Sequence, residues 1–135
     1  MLPITFGLAI ALSLIMLTLT LLVSARRVTL GLAQGDMTLY PYQDGGDEQL
    51  KRRIRAFGNF VEYTPMVVIL VGLMEWSGTQ TVFLFWISVA FVLGRISHAL
   101  GMFINPHFPL PRIMGMTATY VVLVTAAYEL TSVLV

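Results

Sequence analysis

The 135-residue chain contains no cysteine. That excludes internal disulfides, thiolate metal sites and thiol relays, so any sulfur chemistry must use the sulfur of a substrate. Charge is nearly as scarce: eight Lys and Arg stand against seven Asp and Glu, a net charge of +1. This balance supplies no polycationic surface, and no nucleic-acid partner is expected. The two histidines, His98 and His107, have no ligand spacing between them, and no metal site is expected. Repeats and low-complexity tracts are absent, so residues 1–135 read as one domain. What fills the chain instead is apolar: 57% of residues are hydrophobic, too many for a soluble average, and the few charges are clustered.

From Leu2 to Ala25 there is no charge at all, a run long enough for a bilayer span of about 20 residues. A signal peptide is the competing reading, because Val23-Ser24-Ala25 resembles a cleavage site. No Lys or Arg precedes the run, however, and it exceeds the usual apolar core of ~7–15 residues. Arg26 and Arg27 are expected to stop this first helix at the interface. Turn signals follow between Gly31 and Gly46, at Gly35-Asp36, Tyr40-Pro41 and Asp44-Gly45-Gly46. Asp47 is a suitable N-cap for a second helix that runs to about Trp76, with Glu48 at the positive end of its dipole and paired with Arg52. Pro65 removes a backbone donor within that helix, where a kink or a polar neighbour is expected.

Thr79 to Phe103 forms a third span. A stiff loop containing Asn105-Pro106 and Pro109-Leu110-Pro111 leads to a fourth, from Ile113 to about Val133. The expected fold class is therefore all-α, an integral membrane bundle of four up-down antiparallel spans. Gly94, Gly101 and Gly115 suit close helix approach. Lys and Arg fix its orientation: Arg26, Arg27, Lys51, Arg52, Arg53, Arg55 and Arg112 all fall on one side. The positive-inside rule places that side in the cytoplasm and both termini outside it. Lys51, Arg52 and Arg53 read as topology determinants and contacts to membrane lipid headgroups.

The second helix opens as a basic, water-facing segment and turns apolar, yet carries Arg55, Asn59, Glu62 and Tyr63 onward. At about 100° per residue, positions 55, 59 and 62 fall within roughly 60° of one another, and Tyr63 borders that stripe. Polar groups at membrane depth are costly and rarely face lipid, so the stripe should face protein or a wet cavity. The third helix adds Arg95 near its end, and His98 on the same face. A Glu62–Arg95 ion pair locking the second and third helices is one structural reading of these residues; for His98 a hydrogen-bonded helix contact is another.

Gly45-Gly46-Asp47 through Arg55, followed by Gly58-Asn59-Phe60-Val61-Glu62-Tyr63-Thr64-Pro65, resembles the MAPEG family, the membrane-associated proteins in eicosanoid and glutathione metabolism, and most closely its small bacterial members. The resemblance implies a homotrimer of four-helix subunits in a bacterial inner membrane, binding glutathione as cosubstrate between subunits near the cytosolic face. It implies that Arg55, Asn59, Glu62, Tyr63 and Arg95, with His98 beside them, bind the tripeptide, and that Arg112 stabilises its thiolate. The chain departs from the pattern where relatives carry tyrosines late in the third helix: here stand His98, Met102 and Phe103.

Glutathione presents two carboxylates, an ammonium and a thiol, which arginine forks and a glutamate complement. The function so implied is a glutathione-dependent transferase or peroxidase acting on lipophilic electrophiles. The alternative is a non-catalytic lipid- or ligand-binding scaffold of the same fold. A small multidrug exporter, the third class with four short spans, would need an embedded acid in the first helix, and that helix has none.

Overall fold

The computed structural model describes residues 1–38, 44–103 and 109–132. Four helices account for almost all of them: α1 (Pro3–Gln34), α2 (Glu48–Trp76), α3 (Thr81–Phe103) and α4 (Leu110–Thr131). Each is long and apolar enough to cross a membrane. The turn signal at Tyr40-Pro41, the Asn105-Pro106 segment, His107 and the expected end at Val133 lie outside the described residues.

The first helix does not stop at Arg26 and Arg27. It continues to Gln34 and ends only at Gly35, whose left-handed backbone (φ 68°) closes the last turn with bonds to the Gly31 and Leu32 carbonyls. A charge ends the apolar window but not the helix, since arginine is itself a good helix former. Arg26 is accommodated because the start of the next helix meets it: its guanidinium forks onto Asp47 at 2.7 and 3.2 Å. Asp47 also accepts from the Leu50 N–H at 2.6 Å, and so caps α2 as expected. Glu48 pairs with Lys51 at 3.3 Å, one position short of the expected Arg52. Arg53 reaches across to the Leu22 carbonyl at 2.6 Å, a second tie between α1 and the start of α2.

The opposite ends of these two helices are joined by Glu75. No side chain of its own region caps α1 at Leu2. Instead the Glu75 carboxylate, near the end of α2, accepts from the Ile4 N–H (2.9 Å), the Thr5 N–H (2.8 Å) and the Thr5 hydroxyl (2.6 Å). Orphan donors at the first turn are thereby satisfied by an acid suited to the helix dipole. α2 runs through Pro65 as one continuous helix.

The tightest crossing is α3 against α4, and small residues make it possible. A Cβ added at Gly94 would lie 2.9 Å from the Ala118 Cβ, and one at Gly101 would lie 2.8 Å from the Arg112 backbone nitrogen. One at Gly115 would meet the Gly94 carbonyl and the backbone of His98. Lipid tails are as apolar as leucine, so helix association in a bilayer relies on such close packing. Around this crossing the buried core gathers Leu8 and Leu12 from α1, Phe60, Val67 and Met74 from α2, Leu84 and Phe91 from α3, and Val122 from α4. Pro109, Leu110 and Pro111, expected in a non-helical loop, form the N-cap and first turn of α4 instead. A proline is tolerated there because its missing N–H would have had no helical partner.

Candidate functional site

The stripe on α2 straddles the edge of the bundle. Taking Arg55 as reference, Glu62 lies about 20° to one side, whereas Asn59 and Tyr63 lie about 40° and 80° to the other. That difference decides their surroundings: Arg55 and Glu62 are exposed, while Asn59 and Tyr63 are half-buried and turn toward α3.

On the inner edge, Arg95 of α3 is only 1% exposed. Its guanidinium donates to the Asn59 side-chain oxygen at 3.0 Å and, at 3.4 Å, to the Asn59 backbone carbonyl. Met116 Sδ of α4 lies 3.8 Å away. The rings of Tyr63 and Phe91 cover the cation, with centroids at 5.8 and 5.9 Å. Its Nε is buried without a partner among the described residues. Tyr63 in turn meets Tyr120 of α4 edge-on, at 6.4 Å and 71°. The internal lock is thus Asn59–Arg95. The Glu62–Arg95 pair does not form, because Arg95 approaches the side of α2 that bears Asn59.

On the outer edge, neither Arg55 nor Glu62 makes an ion pair among the described residues, whose two salt bridges are Arg26–Asp47 and Lys51–Glu48. Glu62 lies roughly 10 Å further along α2 than Arg55, in the apolar part of the helix. An unpaired carboxylate at the centre of a span costs about 2.5–3.5 kcal/mol on insertion scales, so this side of α2 is not one that lipid would cover. Arg55 instead borders a cavity of about 210 Å³ between the start of α2, the end of α3 and the start of α4. Arg112 lines the same cavity, with Lys51, Arg52, Glu48 and Met102. Four cations face one acid there, and that acid already holds Lys51. An anion entering this cavity would gain charge-assisted bonds from side chains with no carboxylate partner of their own.

The remaining candidate, His98, is 6% exposed and is turned to the α3–α4 crossing. Its Nδ1 lies 3.3 Å from the Arg112 carbonyl. It therefore ties α3 to the backbone of the helix that carries Arg112, while the Arg112 side chain remains exposed in the cavity. Of the expected site residues, then, Arg55 and Arg112 share a cavity, Asn59, Tyr63 and Arg95 form one contact set, and Glu62 stands apart on the outward face. Tyr120 and Met116 are part of the inner set and were not legible in the sequence. Their only signal is a helical spacing of four on α4, which many apolar pairs share. The half-buried Lys51 and Arg52 gain a place in the cavity wall beyond the topological role expected of them.

Two curated relatives resemble the chain, the inner membrane protein YecN of Escherichia coli strain K12 and that of Escherichia coli O6:H1. Each is 37% identical over 79 residues, which is 58% of this chain and 59% of the relative. The chain thus spans about 59% of the length of these curated relatives. No solved structure matches it. The model of the MAPEG family matches residues 5–131, nearly the whole sequence and all four helices. The chain belongs to the MAPEG family.

Proposed function

We propose that the protein is a glutathione-dependent membrane transferase or peroxidase that activates the thiol of glutathione for attack on lipophilic electrophiles. The observation that carries this reading is the cavity shared by Arg55 and Arg112, with an unpaired Glu62 on the same helix. Arg55 with Lys51 and Arg52 suits the carboxylates of the tripeptide, and Glu62 suits its ammonium. Family membership supports the same choice of ligand.

Arg112 is the residue proposed to act on sulfur. A free cysteine thiol has a pKa of about 8.5, which leaves a few per cent ionised at pH 7. A guanidinium about 4 Å from the thiolate at an effective dielectric near 20 is worth up to ~4 kcal/mol. Even 1.4 kcal/mol lowers the pKa by about one unit and multiplies the reactive population several-fold. The thiolate then forms its bond to the electrophilic carbon, or to a peroxide oxygen, as the leaving group departs with the displaced electron pair; no protein nucleophile is consumed. Glu62 and Arg55 face outward, so a second copy of the chain would complete the site, and we propose a homotrimer in keeping with the family. The relatives' description as inner membrane proteins and the clustering of Lys and Arg support a bacterial inner-membrane protein with both termini outside the cytoplasm.

A non-catalytic ligand-binding scaffold is favoured by one observation, the engagement of Arg95 by Asn59. Replacing Arg112 with alanine separates the two. A transferase keeps most of its glutathione affinity and loses the ultraviolet thiolate band and the turnover of an electrophile panel. A scaffold shows neither the band nor turnover in the unaltered protein.

A further inference from the structure

On the basic side of the bundle, a cavity of about 510 Å³ opens where α1, the start of α2 and the last residue of α3 come together. Leu22 and Phe103 supply its apolar part and Arg52 and Arg53 its cations, with Glu48 and Gln49 one turn earlier on α2. Arg55 and Arg112, the pair proposed to engage glutathione, do not border it; of the cations, only Arg52 lines both cavities. The volume falls in the ~300–1,000 Å³ range of small-molecule sites.

Both guanidiniums are available to an anion. The nearby acids are engaged elsewhere, Asp47 by Arg26 and Glu48 by Lys51, so neither Arg52 nor Arg53 has a carboxylate partner among the described residues. Arg53 donates from one Nη to the Leu22 carbonyl at 2.6 Å, which steadies its guanidinium at the cavity wall and leaves its remaining donors unpaired among the described residues. Those donors are within reach: the arginine nitrogens buried without a partner belong to Arg27 and Arg95, not to Arg52 or Arg53. An arginine fork matches the oxygens of a phosphate. A zwitterionic headgroup would bring its own cation against the two arginines, and the acid that could receive it, Glu48, already holds Lys51.

The level of the cavity identifies the occupant. The starts of α1 and α3 and the end of α2 lie on the opposite side of the bundle, where Glu75 bonds Ile4. At 1.5 Å per residue, Leu22 lies about 29 Å from Pro3, Phe103 about 33 Å from Thr81 and Arg53 about 35 Å from Trp76. Against a hydrocarbon core of ~30 Å, Leu22 and Phe103 stand at its edge and the arginines just beyond it, in the headgroup layer. We infer that this cavity binds a phospholipid of net negative charge from the leaflet on the basic side. Its phosphate is held by Arg52 and Arg53, and the upper part of its acyl chains lies against Leu22 and Phe103.

Phosphatidylglycerol and phosphatidylcholine, each carrying a photoreactive diazirine near the glycerol end of one acyl chain, serve as matched probes. The full-length protein in phosphatidylcholine nanodiscs is irradiated with each, and adducts are mapped by peptide mass spectrometry. Around Leu22 and Phe103, phosphatidylglycerol should label about five- to thirtyfold more than phosphatidylcholine, the range of one to two basic residues acting on an anionic lipid. That preference should fall about fivefold in Arg53→Gln and in Gln49→Glu. The second variant places an acid in the first turns of α2, where the dipole favours it, so the fold is not at stake. Arg112→Gln removes the same charge from the same side without touching the cavity, and should leave the preference unchanged. Excess soluble glycerol phosphate should not compete, since it lacks the chains that Leu22 and Phe103 meet. Equal labelling by the two lipids, insensitivity to Gln49→Glu, an equal fall in Arg112→Gln, or competition by glycerol phosphate would overturn the inference.

Discussion

Replacing Gly115 with alanine tests how the bundle is held together. The added methyl would lie 2.7 Å from the Cβ of His98 and 2.8 Å from its backbone nitrogen, besides meeting the Gly94 carbonyl. Carbon atoms in good contact stand ~3.5–4.0 Å apart, so about 1 Å of separation is needed. None of these atoms belongs to a flexible side-chain end, and the strain must be relieved by moving α3 from α4. That movement also stretches the 3.3 Å contact between His98 Nδ1 and the Arg112 carbonyl. Overpacking of this kind costs about 1–3 kcal/mol. Gly7→Ala is the matched control, because nothing lies within 4 Å of its added methyl. Alanine in a helix interior is worth roughly 0.5–1 kcal/mol over glycine, so the control should be neutral or slightly stabilising. Thermal unfolding in detergent, followed by far-ultraviolet circular dichroism, should therefore lower the midpoint for Gly115→Ala and not for Gly7→Ala. Equal midpoints for Gly115→Ala and the unaltered protein would refute the close α3–α4 crossing.

Removing the amide of Asn59 with Asn59→Leu should cost about 1.5–3 kcal/mol, the worth of a hydrogen bond to a charged group, and Asn59→Asp should recover part of it; denaturant unfolding checks both. The Arg26 side chain, by hydrogen bonding to Asp47, holds that carboxyl below the usual range, against the smaller opposing effect of burial. The unfolded chain then takes up a proton more readily than the folded one. The contribution is fully present above the ordinary aspartate value near 3.9 and is lost as pH falls through the lower folded value. Asp47→Asn should accordingly flatten the acid limb of a stability–pH profile. Glu75→Ala leaves the Ile4 and Thr5 donors without their acceptor, and amide exchange in the first turn of α1 should accelerate, with little change near Arg112.

The sequence carried the four spans because membrane crossing depends on local hydropathy, which composition reveals directly. It also carried the start of α2, since Asp47 offers a capping oxygen at the required place. The end of α1 was not legible because a charge does not stop a helix: the chain stays helical through Gly31 and ends only where Gly35 adopts a left-handed backbone. α4 begins three residues before the expected Ile113 because prolines that break a helix interior are compatible with a first turn. At the site, helical spacing places Arg55, Asn59, Glu62 and Tyr63 on one stripe of α2, which the structure divides between an exposed edge and a half-buried one. It could not say which edge of that stripe would meet α3, since this depends on the rotation of α2 within the bundle. The Asn59–Arg95 contact, the cap supplied by Glu75 and the pairing of Tyr63 with Tyr120 are all between helices, and no local pattern encodes them.

Isothermal titration of reduced glutathione into the purified protein, compared with Arg55→Ala and Glu62→Gln, addresses the proposed site directly. Saturable binding to the unaltered protein is predicted, weakened roughly ten- to a hundredfold in each variant by loss of a charge-assisted bond. The absence of binding heat, or affinity unchanged in both variants, would contradict the account.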